Sequence, residues 1–137
     1  MKATLFLMII ALSSVAQTTL IKWGSPWKYL SQTTAAASTW NTIGFLDSGW
    51  PSGNTQLGYG DGDETLIIPA TVSGVNILTT YFRKSINVVT PKTLEARMLI
   101  DDGAVVYVNG VEVYRYNLPS GSILYSTLTS TFTENQM

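Results

Sequence analysis

Asp101 and Asp102 stand side by side at the head of the stretch DDGAVVYVNGVEVYR, with Glu112 further along it. Carboxylates in this chain carry most of whatever hydrolytic chemistry it could do, because it holds 0 His and 0 Cys. A Ser-His-Asp triad, a Cys-His pair and a His-ligated zinc or iron site are therefore excluded within it. What remains is an acid and nucleophile pair of carboxyls, or a metal held by oxygen ligands alone. Glycoside hydrolysis needs two carboxyls about 5 to 9.5 Å apart across a cleft, which neighbours in one turn do not supply. Turn chemistry accounts for the same residues: Asp accepts backbone N–H groups, and Gly103 is expected to take the strained dihedral. No nucleophile elbow, phosphate loop or metal motif accompanies them. The expectation is a protein that is not an enzyme.

A second acidic stretch, GDGDET, places Asp61, Asp63 and Glu64 in a Gly-rich loop. Hard cations take six to eight oxygen ligands, so these three are the candidate ligands of a structural calcium ion. The alternative is a solvated acidic loop. Trp23, Trp27, Tyr29, Trp40, Trp50 and Tyr59 could stack on the apolar faces of sugar rings, or serve as the bulky fillers of a small β core. Trp50, followed by Pro51-Ser52-Gly53, is expected to be the exposed one. In YRYNLPSG, Arg115 and Asn117 lie beside aromatics on a loop of the kind that carries binding; the structural alternative pairs Arg115 with Asp101 or Asp102.

The elements that must position these residues read as strands. Residues 20–23 and 27–30 are brief apolar runs parted by Gly24-Ser25-Pro26. In TTYFRKSINVV, Tyr81, Arg83, Ser85 and Asn87 share one face and Phe82, Lys84, Ile86 and Val88 the other, and Pro91 ends the strand. TLEARMLID alternates Leu94, Ala96, Met98 and Ile100 inward against Glu95 and Arg97 outward, the pattern of a half-buried strand. Asn109-Gly110 is a type I′ hairpin signal, since both central residues of that turn need positive φ. Pairing across it sets Val108 against Val111, Val106 against Val113 and Tyr107 against Glu112. The valines then form a core face, and antiparallel sheets pack face to face.

With 137 residues, 45% hydrophobic and only 12% charged, the chain suits one β-rich domain. Residues 1–16 read separately: Lys2, an apolar run over 5–12 and the small residues Ser14-Val15-Ala16 form a secretory signal peptide, cleaved after Ala16. That run is shorter than the roughly 20 residues a bilayer span requires. The expectation is a secreted or cell-surface protein with no membrane span, its domain occupying 17–137. Eight Lys and Arg against 9 Asp and Glu, a net charge of −1, provide no basic stripe for nucleic acid.

Together, WKYL, GFLDSGWPSG, LGYGDGDETL, TTYFRKSI and LIDDGAVVYVNGVEVYRYNLPSG resemble the galactose-binding-like jelly-roll modules of secreted, multidomain bacterial proteins. The resemblance covers about residues 20–126. It implies an all-β jelly-roll β-sandwich acting as a non-catalytic accessory module that binds a polysaccharide or glycan, or else supports a neighbouring domain of the same polypeptide. On that reading the carbohydrate-binding residues are Trp50, Tyr59, Asp61, Asp63, Arg115 and Asn117. Modules of this type often hold a structural calcium. Their last strand carries a motif that is absent before STFTENQM, so the resemblance also implies a domain incomplete at its C-terminus.

Overall fold

A computed structural model describes residues 18–60, 62–89 and 93–131. The expected signal peptide and Asp61 lie outside the described residues. Among those residues the chain is all-β, with no helix and only small sheets. Its strands are β1 (Pro26–Ser31), β2 (Ser52–Asn54), β3 (Leu57–Gly58), β4 (Leu66–Ile67), β5 (Thr71–Val72), β6 (Val75–Asn76), β7 (Thr80–Arg83), β8 (Ala104–Val108) and β9 (Val111–Tyr116). The largest sheet has the order β2-β1-β7, both pairings antiparallel. Two-stranded ladders join β3 to β4 in parallel and β5 to β6 and β8 to β9 antiparallel.

Alternation along the central strand β1 divides its side chains between two faces. Trp27 stands opposite Gly53 on one of them. Gly53 is buried, and a Cβ there would meet the side chains of Leu66 and Leu57 at 2.4 and 2.8 Å, so the leucines of β3 and β4 press on the sheet where it lacks a side chain. On the opposite face Leu30 pairs with Tyr81 and Lys28 with Arg83. The long segment between β1 and β2 covers this face with aromatic rings. Trp40 lies 5.0 Å from Tyr81 and 5.7 Å from Tyr107, both edge-on, and stacks on Trp50 at 6.5 Å. Phe45 meets Trp50 edge-on at 5.6 Å. Edge-to-face and offset pairs of this kind contribute about 0.5–1.5 kcal/mol each beyond the area they bury. One cluster thus ties the loop, the sheet and the hairpin together.

Arg83 anchors the same loop from below. Its Nε donates to Asp47 Oδ2 at 3.0 Å, its Nη1 donates to the carbonyls of Trp40 and Thr42, and its guanidinium lies 5.1 Å from the Phe45 ring centroid. Tyr125 fastens the C-terminal segment: its hydroxyl donates to Gln32 O at 3.0 Å and accepts Leu78 N–H at 3.1 Å, while its carbonyl accepts Thr79 Oγ1 at 2.7 Å.

Several expectations are corrected. Strand β7 stops at Arg83 rather than running through TTYFRKSINVV, and residues 20–23 and 93–100 form no strand. Leu94 and Met98, expected to face inward, are 56% and 46% exposed. Alternation alone cannot make a strand where no neighbour supplies a ladder. The hairpin keeps the predicted pairs Val108 with Val111 and Tyr107 with Glu112, but a bulge between Val106 and Tyr107 sets Val106 opposite Tyr114 instead of Val113. Nor do its valines form a buried face: Val108, Val111 and Val113 are 46%, 65% and 57% exposed. Among the described residues the buried hydrophobic side chains are instead Trp50, Ile68 and Tyr81.

Candidate functional site

The β8–β9 hairpin closes as its sequence dictates. Asn109 and Gly110 take φ of +54° and +85°, the left-handed pair a type I′ turn demands. Before β8 the chain turns at Asp101-Asp102-Gly103, where Gly103 N donates to Asp101 O at 2.8 Å. Here Asp102, at φ +60°, takes the left-handed conformation that was expected of Gly103. Gly103 is required for a different reason: a Cβ would lie 2.9 Å from Thr129 Cγ2 and 3.0 Å from the Tyr116 carbonyl.

Arg115 has its partner within the hairpin rather than in the preceding turn. Its Nε and Nη2 donate to the two Glu112 carboxylate oxygens at 2.8 and 2.7 Å, a bidentate fork. The Arg115 guanidinium holds the Glu112 carboxyl below the ordinary carboxylate value, and Glu112 in turn pushes Arg115 up. Arg115 also donates to the carbonyls of Pro119 and Gly121, so one side chain folds the 117–121 loop back onto the strand. Glu112 is thereby committed to an ion pair. Asp101 and Asp102 stay exposed in their turn.

Asn117 is equally occupied. At φ +52° its Nδ2 donates to the carbonyls of Asp102 and Thr131, both at 2.6 Å, and its Oδ1 accepts from Thr131 N and Thr131 Oγ1 at 3.1 and 2.9 Å. The amide joins the turn before β8, the end of β9 and the last described residues at one point.

Trp50, expected as an exposed platform, is 8% exposed and lies in the aromatic core. Its neighbours in SGWPSG are loop-formers, but Trp50 N donates to Asp47 O at 3.0 Å and Lys28 Nζ donates to Trp50 O at 2.9 Å, which turns the ring inward over the sheet. Tyr59 is 54% exposed. Near it, Gln56 Nε2 donates to Asp63 Oδ1 at 3.1 Å and Gly62 N to Glu64 Oε2 at 2.9 Å. These bonds give Asp63 and Glu64 a structural use. Among the described residues no group of three His, Cys, Asp or Glu side chains could hold a metal ion; Asp61, the third of the expected calcium ligands, lies outside them. The five described candidates, Trp50, Tyr59, Asp63, Arg115 and Asn117, fall in three places. Tyr59 and Asp63 share one loop, Arg115 and Asn117 brace another, and Trp50 belongs to the interior.

What the sequence reading missed is a cleft of about 250 Å³ on the three-stranded sheet, lined by Pro26, Lys28, Asp47, Ser52, Arg83, Lys84 and Ser85. Alternation in TTYFRKSI places Arg83 and Ser85 on one face, but only the pairing of β1 with β7 brings Lys28 beside them. No protein-family model, curated protein or solved structure matches the chain. Among the described residues no helix is long and apolar enough to cross a membrane.

Proposed function

We propose that this chain is a non-catalytic accessory β module of an exported protein, of galactose-binding-like jelly-roll type, whose work is to dock against and support a neighbouring domain of the same polypeptide. The observation that carries the reading is the open apolar surface of the β8–β9 hairpin, where Val108, Val111 and Val113 are 46%, 65% and 57% exposed. Large apolar side chains gathered on one hairpin mark interaction surfaces. The polar residues around them, Arg115, Glu112 and Asn117, are engaged in holding loops, which favours a supporting role over a reactive one. The test compares amide hydrogen exchange over 111–114 in the 137-residue chain with that in the native gene product as its cell exports it. Protection at least about tenfold higher in the native product is expected, the mark of a covered face. Equal rates would overturn the docking reading.

A second reading, glycan binding, is favoured by one observation: Tyr59 is 54% exposed on the loop that also carries Asp63. Exposed tyrosine with an adjacent acid can stack on a sugar ring and accept its hydroxyls. A glycan array probed with the chain and with Tyr59→Ala separates the two, because docking through the hairpin does not involve Tyr59.

A further inference from the structure

The cleft on the three-stranded sheet has a composition that folding alone does not explain. Ser52, Lys28 and Arg83 are register partners across β2, β1 and β7, so they form one row on one face of the sheet. Lys28 and Arg83 are like charges set directly opposite each other, an arrangement that destabilises a sheet unless something offsets it. Asp47 answers Arg83 at 3.0 Å. The ion pairs among the described residues give Lys28 and Lys84 no carboxylate. Lys84 Nζ donates to Pro26 O at 2.7 Å and lies 6.0 Å from the Trp27 ring centroid, at the same end of β1.

Three cationic ends against the single carboxylate of Asp47 leave the cleft with a formal charge of about +2, inside a chain whose net charge is −1. Each ammonium has three N–H donors. Lys28 commits one of them to the Trp50 carbonyl and Lys84 one to the Pro26 carbonyl, which leaves both heads held in place with donors to spare. Ser52 and Ser85 are further lining residues. Arg83, with its side chain only 11% exposed, is the fixed floor of the site.

We propose that the cleft over this row is an oxyanion site that takes one sulfate, phosphate or carboxylate group, either as a free ion or as a substituent of a larger molecule, against Lys28 and Arg83, with Lys84 lining the same cleft from beyond the end of β7. Charge-assisted hydrogen bonds from ammonium to oxyanion suit this geometry. A cleft of about 250 Å³ in a chain of net charge −1 fits one anionic group and not a polyanion backbone, which needs a stripe of cations. The site is independent of the hairpin face and of Tyr59.

The test is a two-dimensional amide NMR titration of the chain with sodium sulfate, sodium phosphate and sodium glucuronate in turn, each at ionic strength matched with chloride. Saturable shifts are expected at Lys28, Ser52, Arg83, Lys84 and Ser85 with at least one of the three. Lys28→Gln and Lys84→Gln should each weaken that binding about tenfold, the loss expected of one charge-assisted bond. Arg97→Gln, at a side chain 92% exposed and paired with Glu95, should leave it unchanged. Arg83 is left intact because it also holds the 40–47 loop, and the amide spectra show directly that each variant remains folded. Preference for the inorganic ions points to a free ion, and preference for glucuronate to an acidic sugar; either supports the site. The proposal falls if no anion gives saturable shifts at these residues, or if both lysine variants bind as the parent does.

Discussion

Asn117→Ala should destabilise this fold, and the size of the loss can be built from its parts. The amide makes four hydrogen bonds, two donated at 2.6 Å and two accepted at 2.9 and 3.1 Å. In a half-exposed setting each contributes about 0.5 kcal/mol net, the low end of the usual range, so their loss amounts to about 2 kcal/mol. Alanine must also hold φ +52°, where an L side chain without a local hydrogen bond is disfavoured by about 1 kcal/mol. The sum is about 3 kcal/mol for Asn117→Ala, against a total stability of about 5–15 kcal/mol for a domain. Asn117→Gly loses the bonds but takes the positive φ without strain, so it should cost about 2 kcal/mol. Asn117→Asp keeps the tolerance for positive φ but sets a carboxylate against the Asp102 and Thr131 carbonyls, and should cost as much as alanine. Urea unfolding followed by far-UV circular dichroism reads all three. With a slope of about 2 kcal/mol/M, the alanine midpoint should fall by about 1.5 M and the glycine midpoint by about 1 M. Equal midpoints for alanine and glycine would remove the strain argument, and an alanine variant within about 0.5 kcal/mol of the parent would refute the anchoring role altogether.

Trp50→Ala should destabilise the chain by about 3–5 kcal/mol and erase much of the near-UV dichroism, because it empties the centre of the Trp40–Trp50–Tyr81 cluster; a loss below about 1 kcal/mol would return Trp50 to the surface. Since Arg115 depresses the Glu112 carboxyl below its ordinary value of 4.5, the pair stabilises the folded state above that pH and ceases to do so as pH falls through the lowered value. Melting temperatures of the parent between about pH 6 and about pH 3 should therefore drop further than those of Glu112→Gln; parallel profiles would show that the pair adds nothing.

The legible parts of the sequence were those where residue type and conformation are coupled locally. Asn109-Gly110 specified a hairpin because few other dipeptides accept two positive φ angles in succession, and that turn fixed Val108 against Val111. The bulge after it was hidden, since nothing in the spacing of Val111, Val113 and Tyr114 marks where an extra residue enters the ladder. Trp50 was misread for a related reason. Its flanking Pro51, Ser52 and Gly53 are turn formers, yet Gly53 is buried in β2 and the ring lies over the sheet. Loop composition describes the backbone and says little about where a large ring goes. The row of Ser52, Lys28 and Arg83 was invisible in one dimension because its members come from β2, β1 and β7, and only pairing sets them side by side.

Short ladders also explain why the polar residues that stood out in the loops turned out to be braces. A backbone with few sheet hydrogen bonds leaves carbonyls that need donors from elsewhere. Arg83 serves Trp40 and Thr42, Arg115 serves Pro119 and Gly121, and Asn117 serves Asp102 and Thr131. Arg115 and Asn117, committed in this way, are poorly placed to bind a ligand, since each contact either gave up would free a stretch of loop. Lys28 and Lys84 differ in degree: each gives one N–H to a carbonyl, enough to fix the head, and each lines an open cleft beside a second cation. Both lysine heads are thus held at the three-stranded sheet with N–H donors left over, which Asn117 does not have.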